Sequence, residues 1–301
     1  MRADSLRLAG RVFDAESLYY LAVRRDPRDP AARLALGRYL AERGALRIGA
    51  VLMEEARYFG GDAARVAEAL APVYARMGEY GALAALPASG LPYAERIRAE
   101  WLRDNPPTIT GADSSDLPYR ASDGEPLGRV SLKIGAESVF ATIDARAQGF
   151  VLDTSWARHK EVKCFASRGE RKARDFAGVT LSVQLGELTL TRVTTRFAPR
   201  RAASSAVIGL DVLGKLAPTF DPRVGRIRLR RSGRIADSTP GVRIATLANS
   251  SGVWVVKREA VFPLGHPEVQ RVLRNSRWTL NPRRGEIVVE AAGDGERRAE
   301  R

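Results

Sequence analysis

The chain changes its hydrophobic periodicity near residue 105, and that change commits it to two kinds of structure in one polypeptide. Before this point Ala, Leu and Arg dominate. Apolar residues return at helical spacing, as in Leu18, Leu21 and Ala22, in Leu34, Leu36, Tyr39 and Leu40, and in Val66, Leu70 and Tyr74. Asp26-Pro27, Gly60-Gly61-Asp62 and the stretch from Pro87 to Pro92 punctuate these predicted helices. After it, alternating Val, Thr and Leu residues separated by Gly and Pro read as strands. The polar, turn-forming run from Asp104 to Asp116 lies between the two, so residues 105–126 read as a linker. A length of 301 residues suits two ordinary domains.

Composition removes several classes of function. With 45% hydrophobic and 28% charged residues the chain is ordinary globular material. No apolar run approaches the roughly 18–20 residues of a membrane span. The start, Met1 to Arg7, lacks the apolar core of a signal peptide, which points to a cytoplasmic location for the sequence as it stands, and to export if a signal segment has been removed. One cysteine, Cys164, excludes an internal disulfide framework and a Cys-based zinc site. Two histidines, His159 and His266, leave little for a His-rich metal centre, and each reads as a surface or turn residue. Cys164 reads as a small buried apolar residue. Ser204-Ser205 has no nearby His–Asp signal, and Glu54-Glu55 reads as a solvated helix face. No cofactor-binding motif is visible.

The net charge of +14 is made by 43 Arg and 6 Lys against 35 acids. Residues 1–104 contribute only +2 of it. The densest clusters are Arg168–Arg174, Arg196–Arg201 and Arg223–Arg234. None is interleaved with aromatics in the way a single-strand binder requires, and no helix-turn-helix, zinc-finger or RRM pattern accompanies them. Binding of an anionic polymer therefore rests on charge alone.

The helical part resembles tetratricopeptide repeats, which pack helix pairs at a 34-residue period. Ala15, Tyr19, Ala22 and Pro27 match the second helix and closing proline of one repeat, Leu36 and Gly37 match the next first helix, and Ala56 follows Ala22 by one period. Gly49 and Gly61 stand where Ala and Pro are usual. The resemblance implies a helical array that binds peptides or partner proteins; a generic array of helical hairpins with no binding role is the alternative.

The β part resembles a retropepsin-like aspartic peptidase over about residues 128–231. Val130, Leu132 and Ile134 alternate, Gly135 turns the chain, Phe140 to Ile143 returns, and Asp144 ends the strand. Asp144 thus occupies the family's catalytic position. Ala206-Val-Ile-Gly-Leu-Asp211-Val-Leu213 and the run from Asp221 through Gly225 to Leu229 look like the end of the same lobe, with a hairpin from Val179 to Val193 between. The family's Asp-Thr-Gly is here Asp144-Ala145-Arg146, and Ala145, Arg146 and Ala147 form the candidate cleft loop. The bracing threonine is absent, and a guanidinium replaces the glycine that lets two loops approach. A dyad needs two carboxylates sharing one proton, so an Arg146 that pairs with Asp144 works against the mechanism. Asp153 in Asp153-Thr154-Ser155 is a weaker candidate acid and reads as a cap or turn residue.

The tail repeats part of that lobe. Val212-Leu213, Thr219, Pro222-Arg223, Gly225 and Ile227 recur 60 residues on as Val272-Leu273, Thr279, Pro282-Arg283, Gly285 and Ile287. Ala245 to Val256 echoes Ala141 to Leu152 more faintly, and it puts Ala248 where a second Asp would stand. Trp254, Phe262 and Trp278 are expected in the core of this second lobe. The expected architecture is a helical domain over 1–104, an all-β retropepsin-like lobe over 127–231, a shortened second lobe over 232–290 and a frayed tail over 291–301. The resemblance implies a degenerate, catalytically impaired aspartic-peptidase fold that binds peptide or protein segments by strand addition, helped by the helical array. An active endopeptidase using Asp144, with a homodimer or an unrecognised residue supplying the second acid, is the alternative.

Overall fold

A computed structural model describes residues 2–87, 90–122, 125–165, 176–199, 206–249, 251–257 and 260–290. The chain is α plus β. Helices come first: α1 (Arg2–Leu8), α2 (Val12–Arg25), α3 (Pro30–Glu42), α4 (Leu46–Tyr58), α5 (Ala63–Met77), α6 (Tyr80–Ala84) and α7 (Tyr93–Asp104). Local chemistry sets their ends. The Asp29 carboxylate accepts from the Ala31 N–H with Pro30 in the first turn, Asp62 caps α5 through the Arg65 N–H, and α5 stops at Gly78 in the left-handed region. Gly37 and Gly49 let α3 and α4 touch backbone to backbone. A Cβ on Gly37 would lie 2.8 Å from the Gly49 carbonyl oxygen, and one on Gly49 would lie 2.6 Å from that of Gly37.

The expected linker is a correction. It carries two strands, β1 (Thr108–Gly111) and β2 (Ser114–Ser122). β1 pairs with the later β8, and β2 lies between β11 and β3. Turn-forming side chains do not prevent this, because Ser115, Leu117 and Tyr119 alternate inward while Ser114, Asp116 and Pro118 face water.

The next strands are β3 (Glu125–Ile134), β4 (Glu137–Asp144), β5 (Phe150–Leu152), β6 (Val162–Phe165), β7 (Phe176–Leu185), β8 (Leu188–Phe197) and β9 (Ala206–Gly209). β3, β4, β9, β5, β8 and β7 pair in that order, and a Lys133–Gln184 bridge joins β7 back to β3. The ring closes a barrel, which removes free edges. Its interior is filled by Val130, Leu132, Ile134, Ala141, Ile143, Phe150, Val183 and Leu185. β9 lies parallel to β4 and antiparallel to β5, wedged between them.

After β9 come α8 (Leu210–Leu213), β10 (Thr219–Asp221) and β11 (Arg226–Arg230). A second unit follows: β12 (Val242–Asn249), β13 (Gly252–Lys257), β14 (Ala260–Pro263), α9 (Pro267–Leu273), β15 (Trp278–Asn281) and β16 (Glu286–Val289). The two hairpins containing the 60-residue repeat have one register. Phe220 faces Ile227 as Leu280 faces Ile287, and Asp221 faces Arg226 as Asn281 faces Glu286. Gly225 and Gly285 take the left-handed conformation at equivalent turns, with φ of 64° and 57°. β10 and β15 pair antiparallel, with Thr219 opposite Thr279. Trp278 is buried as expected and stacks on Phe220 with ring centroids 4.1 Å apart, whereas Trp254 and Phe262 are only partly buried.

The helices pack directly on the β structure. Val12, Tyr19, Leu36, Tyr39 and Leu40 share a core with Leu247 of β12, and partly buried Trp254, Val256 and Val261 lie against it. Phe165 and Val179 join the core of α4 to α7. Three guanidinium groups then reach across to carbonyls of the strands and of the turn before β16. Arg43 donates to those of Thr246 and Gly285, each at 3.1 Å, Arg76 to that of Ala248 at 3.2 Å and Arg98 to that of Thr195 at 3.3 Å. The face of the array that these residues occupy is covered by the chain's own strands.

Candidate functional site

Asp144 is the last residue of β4, and the parallel pairing places it beside Gly209 of β9. The chain turns sharply there. The Arg146 N–H donates to the Asp144 carboxylate at 2.8 Å and the Ala147 N–H to the Asp144 carbonyl at 3.3 Å. The Arg146 guanidinium stands 3.7 Å from the same carboxylate, with its side chain 79% exposed against 37% for Asp144. Arg146 therefore does pair with Asp144, loosely and at the surface. These are the polar partners of the Asp144 carboxylate among the described residues.

The loop from Asp144 to Gly149 is fixed from two sides. On one side stands Asp211, whose role the sequence did not reveal. The Gly149 N–H donates to both Asp211 carboxylate oxygens, at 3.0 and 2.8 Å, and the Gly209 N–H donates to the Gly149 carbonyl at 2.9 Å. A Cβ on Gly209 would lie 2.4 Å from both the Ala147 carbonyl oxygen and the Asp211 carboxylate, so glycine is required at this crossing. Asp211 is exposed to solvent, while neighbouring protein atoms remove part of the hydration of its carboxylate. That desolvation pushes its pKa above the ordinary value, opposed by the Gly149 N–H and by Lys215. Desolvation likewise pulls the Lys215 ammonium below its ordinary value, opposed by Asp211.

On the other side lies the turn between β12 and β13. The Val253 N–H donates to the Ala145 carbonyl at 3.1 Å, and a Cβ on Gly252 would lie 2.5 Å from that oxygen. The turn brings Asn249, whose side chain accepts from the Ser251 N–H at 2.8 Å, and it brings no carboxylate. Ala248, at the position the echo assigns to a second acid, presents a methyl group and gives its carbonyl to Arg76. Arg76 is itself held below its ordinary pKa by desolvation, with Asp211 and Glu42 favouring its charge.

The remaining candidates have structural partners. Asp153 caps a 3-10 turn over Thr154–Arg158, accepting from the Ser155 N–H at 2.9 Å. The His159 ring lies 3.0 Å from Glu137, and His266 caps α9. The half-buried Cys164 thiol donates to the Ala157 carbonyl at 3.4 Å. Glu54 and Glu55 are not simply solvated: Glu54 accepts from the Tyr74 hydroxyl at 2.7 Å and pairs with Arg57, while Glu55 pairs with Arg33. In the basic stretch from Arg223 to Arg234, Arg223 meets Asp221, Arg228 meets Asp116 at 2.7 Å, and Arg231 meets Asp113. Much of this charge is compensated locally, which weakens the case for an anionic polymer. Arg168–Arg174, Arg200, Arg201, Ser204-Ser205 and the tail 291–301 lie outside the described residues. Among the described residues no group of three or more His, Cys, Asp or Glu side chains could hold a metal ion, and no helix is long and apolar enough to cross a membrane.

No family model matches the chain, and no curated relative matches it. Among solved structures it is similar to the crystal structure of a retropepsin-like aspartic protease from Rickettsia conorii, at 12% identity and a TM-score of 0.29, covering 41% of this chain and 90% of that one.

Proposed function

We propose that this chain is a degenerate retropepsin-like protein with tetratricopeptide-like helices, impaired in peptide hydrolysis and built to hold peptide or protein segments. The observation that carries this reading is the surroundings of Asp144. Its carboxylate meets the N–H and guanidinium of Arg146, and the turn that abuts its loop offers glycine, asparagine and alanine. Two carboxylates are needed to divide the work of activating water and polarising the scissile carbonyl. One acid beside an arginine cannot perform both.

The common register of the two hairpins, with Thr219 facing its own counterpart Thr279, supports an internal duplication. On this reading the second unit is a shortened partner lobe, with Ala248 at the position of its acid. The same pairing bears on dimerisation. β10 is flanked by β11 and β15, so both of its edges are filled within one chain. A homodimer formed by strand pairing through β10 would require one of these strands to leave.

The test is cleavage. The purified full chain and its Asp144→Asn variant are incubated with an unfolded protein between pH 3 and 7, and fragments are read by mass spectrometry. Neither protein is expected to release fragments. Cleavage by the parent that Asp144→Asn abolishes would establish the peptidase and end this reading.

A further inference from the structure

We infer that the cleft where the helices meet the second β unit binds a small organic anion, a molecule with one carboxylate or phosphate head group on a flat apolar body. This does not depend on the peptide-binding reading above. The cleft has a volume of about 490 Å³, within the ordinary range for small-molecule sites. Phe13 of α2 and Arg43 at the end of α3 form its helical wall, and Ile244 of β12, Val256 and Lys257 of β13 and the turn before β16 form the other. Backbone contact holds the two walls together. The Arg43-Gly44 turn presses on the Pro282–Gly285 turn, and a Cβ on Gly44 would lie 2.5 Å from the Pro282 carbonyl oxygen. The cleft is therefore preformed.

The charges of this cleft do not cancel. Its cations are Arg43, Arg243, Lys257 and Arg284, and its acid is Glu286. Glu286 is committed to Arg243 and to the Asn281 amide, which donates to it at 3.0 Å. Arg284 pairs with Asp237 at 2.6 Å, and Lys257 with Glu268 at 3.6 Å. Arg43 is left without a carboxylate partner among the described residues. The Thr246 and Gly285 carbonyls each accept from its Nη1 at 3.1 Å, so they fix the guanidinium but carry no net charge to meet it. The Tyr39 hydroxyl also faces Arg43, and it is already engaged by the Val12 carbonyl at 2.8 Å and by Glu16 at 3.1 Å. One surplus positive charge, held in a fixed direction, selects a single planar or tetrahedral oxyanion. The apolar body follows from Phe13. It is 65% exposed, with its ring centroid 5.6 Å from the Arg43 guanidinium carbon, and half-buried Ile244 and Val256 line the same cleft. A flat group laid on Phe13 removes this surface from water while its head group meets Arg43. A neutral ligand would leave the guanidinium unmet, and a cationic one would be repelled by it.

The experiment titrates the full chain with 2-naphthoate, 2-naphthyl phosphate, 2-naphthamide and inorganic phosphate, and follows amide shifts by NMR. Saturable binding of one or both naphthyl anions is expected, about tenfold tighter than the amide or inorganic phosphate and weakened by added salt. The tighter of the two identifies the head group as carboxylate or phosphate. Shifts should centre on Thr246, Val256 and Gly285. Arg43→Gln, which can still donate to a carbonyl, should weaken binding about tenfold. Phe13→Ala removes an exposed side chain and leaves the fold intact, so it provides the test if Arg43→Gln unfolds; it should weaken binding about fivefold or more. Asp144→Asn should leave binding unchanged. The inference is overturned if neither naphthyl anion binds, if the amide binds as tightly, or if inorganic phosphate does. It is also overturned if Phe13→Ala changes affinity less than about twofold, or if the shifts fall at residues 144–149 instead. None of these outcomes touches the cleavage test above.

Discussion

The hydroxyl oxygens of Thr219 and Thr279 lie 2.7 Å apart in the core, joining two residues exactly one repeat apart in sequence. A local two-fold axis runs between them, since each strand presents the same position to the other. The environment breaks that symmetry. Arg230 donates to Thr219 at 2.7 Å and to the Ala217 carbonyl at 2.8 Å, and no such guanidinium reaches Thr279 among the described residues. Thr219→Val therefore takes the partner from the Thr279 hydroxyl and one acceptor from Arg230, whereas Thr279→Val leaves Thr219 still accepting from Arg230. Leaving a buried polar group unpaired costs about 1–3 kcal/mol. Urea denaturation should show a loss of about that size for Thr219→Val and a smaller one for Thr279→Val. Equal losses would mean that Arg230 contributes nothing at this contact.

Much of the architecture was legible in the sequence because it is written in local periodicity. The barrel strands show in Val130, Leu132 and Ile134, and the repeated hairpin shows in two glycines that need the left-handed region. What escaped depends on partners far away in sequence. β1 and β2 look like a linker because their side chains favour turns, and only the distant β8 and β11 supply their backbone bonds. Asp211 stands in a recognisable Gly-x-Asp, yet its task is set by Gly149, 62 residues earlier. The loose pairing of Asp144 with Arg146 was foreseen because it is local. The turn that faces this loop was less visible, since it follows from how the second unit docks.

Arg76 links the helices to that second unit. Its guanidinium donates to the Ala41 carbonyl in α3 and the Ala248 carbonyl in β12, each at 3.2 Å. Arg76→Ala should cost about 1–3 kcal/mol, as expected when partly buried acceptors lose a charged donor. Hydrogen exchange should then quicken in β12 before it quickens in the barrel strands β3 and β4. Uniform acceleration across both units would mean that Arg76 acts on global stability alone.

Gly252 of the second unit lies against the Asp144 loop. Its φ is 121°, and a Cβ there would meet the Ala145 carbonyl oxygen at 2.5 Å and the Arg146 Cα at 3.0 Å. Gly252→Ala must therefore move one loop or the other, at a cost of about 1–3 kcal/mol for overpacking. The expected signature is a lowered melting temperature together with NMR shifts confined to residues near 144–149 and 249–253. A variant that melts like the parent would show that the two loops do not press on each other in solution.

Asp211 should give the molecule a stability slope of unusual sign. Desolvation raises its pKa in the folded state above the ordinary carboxylate value of 3.8. Between these two values the folded chain binds more protons than the unfolded chain, so this group's contribution falls as pH rises through the window. Carboxylates such as Asp116, whose pKa is lowered chiefly by its hydrogen bond from Arg228, act in the opposite direction at lower pH. Asp211→Asn retains an oxygen able to accept from the Gly149 N–H and cannot ionise. Relative to the parent, the variant should therefore gain stability as pH rises above 3.8 through that window, by an amount that solvent screening of the exposed Asp211 side chain keeps small. Denaturation midpoints measured for both proteins in matched buffers isolate the effect, because the other carboxylates cancel in the difference. A stability difference that does not change with pH would show that Asp211 keeps an ordinary pKa and that the Gly149 contact, not desolvation, governs its charge.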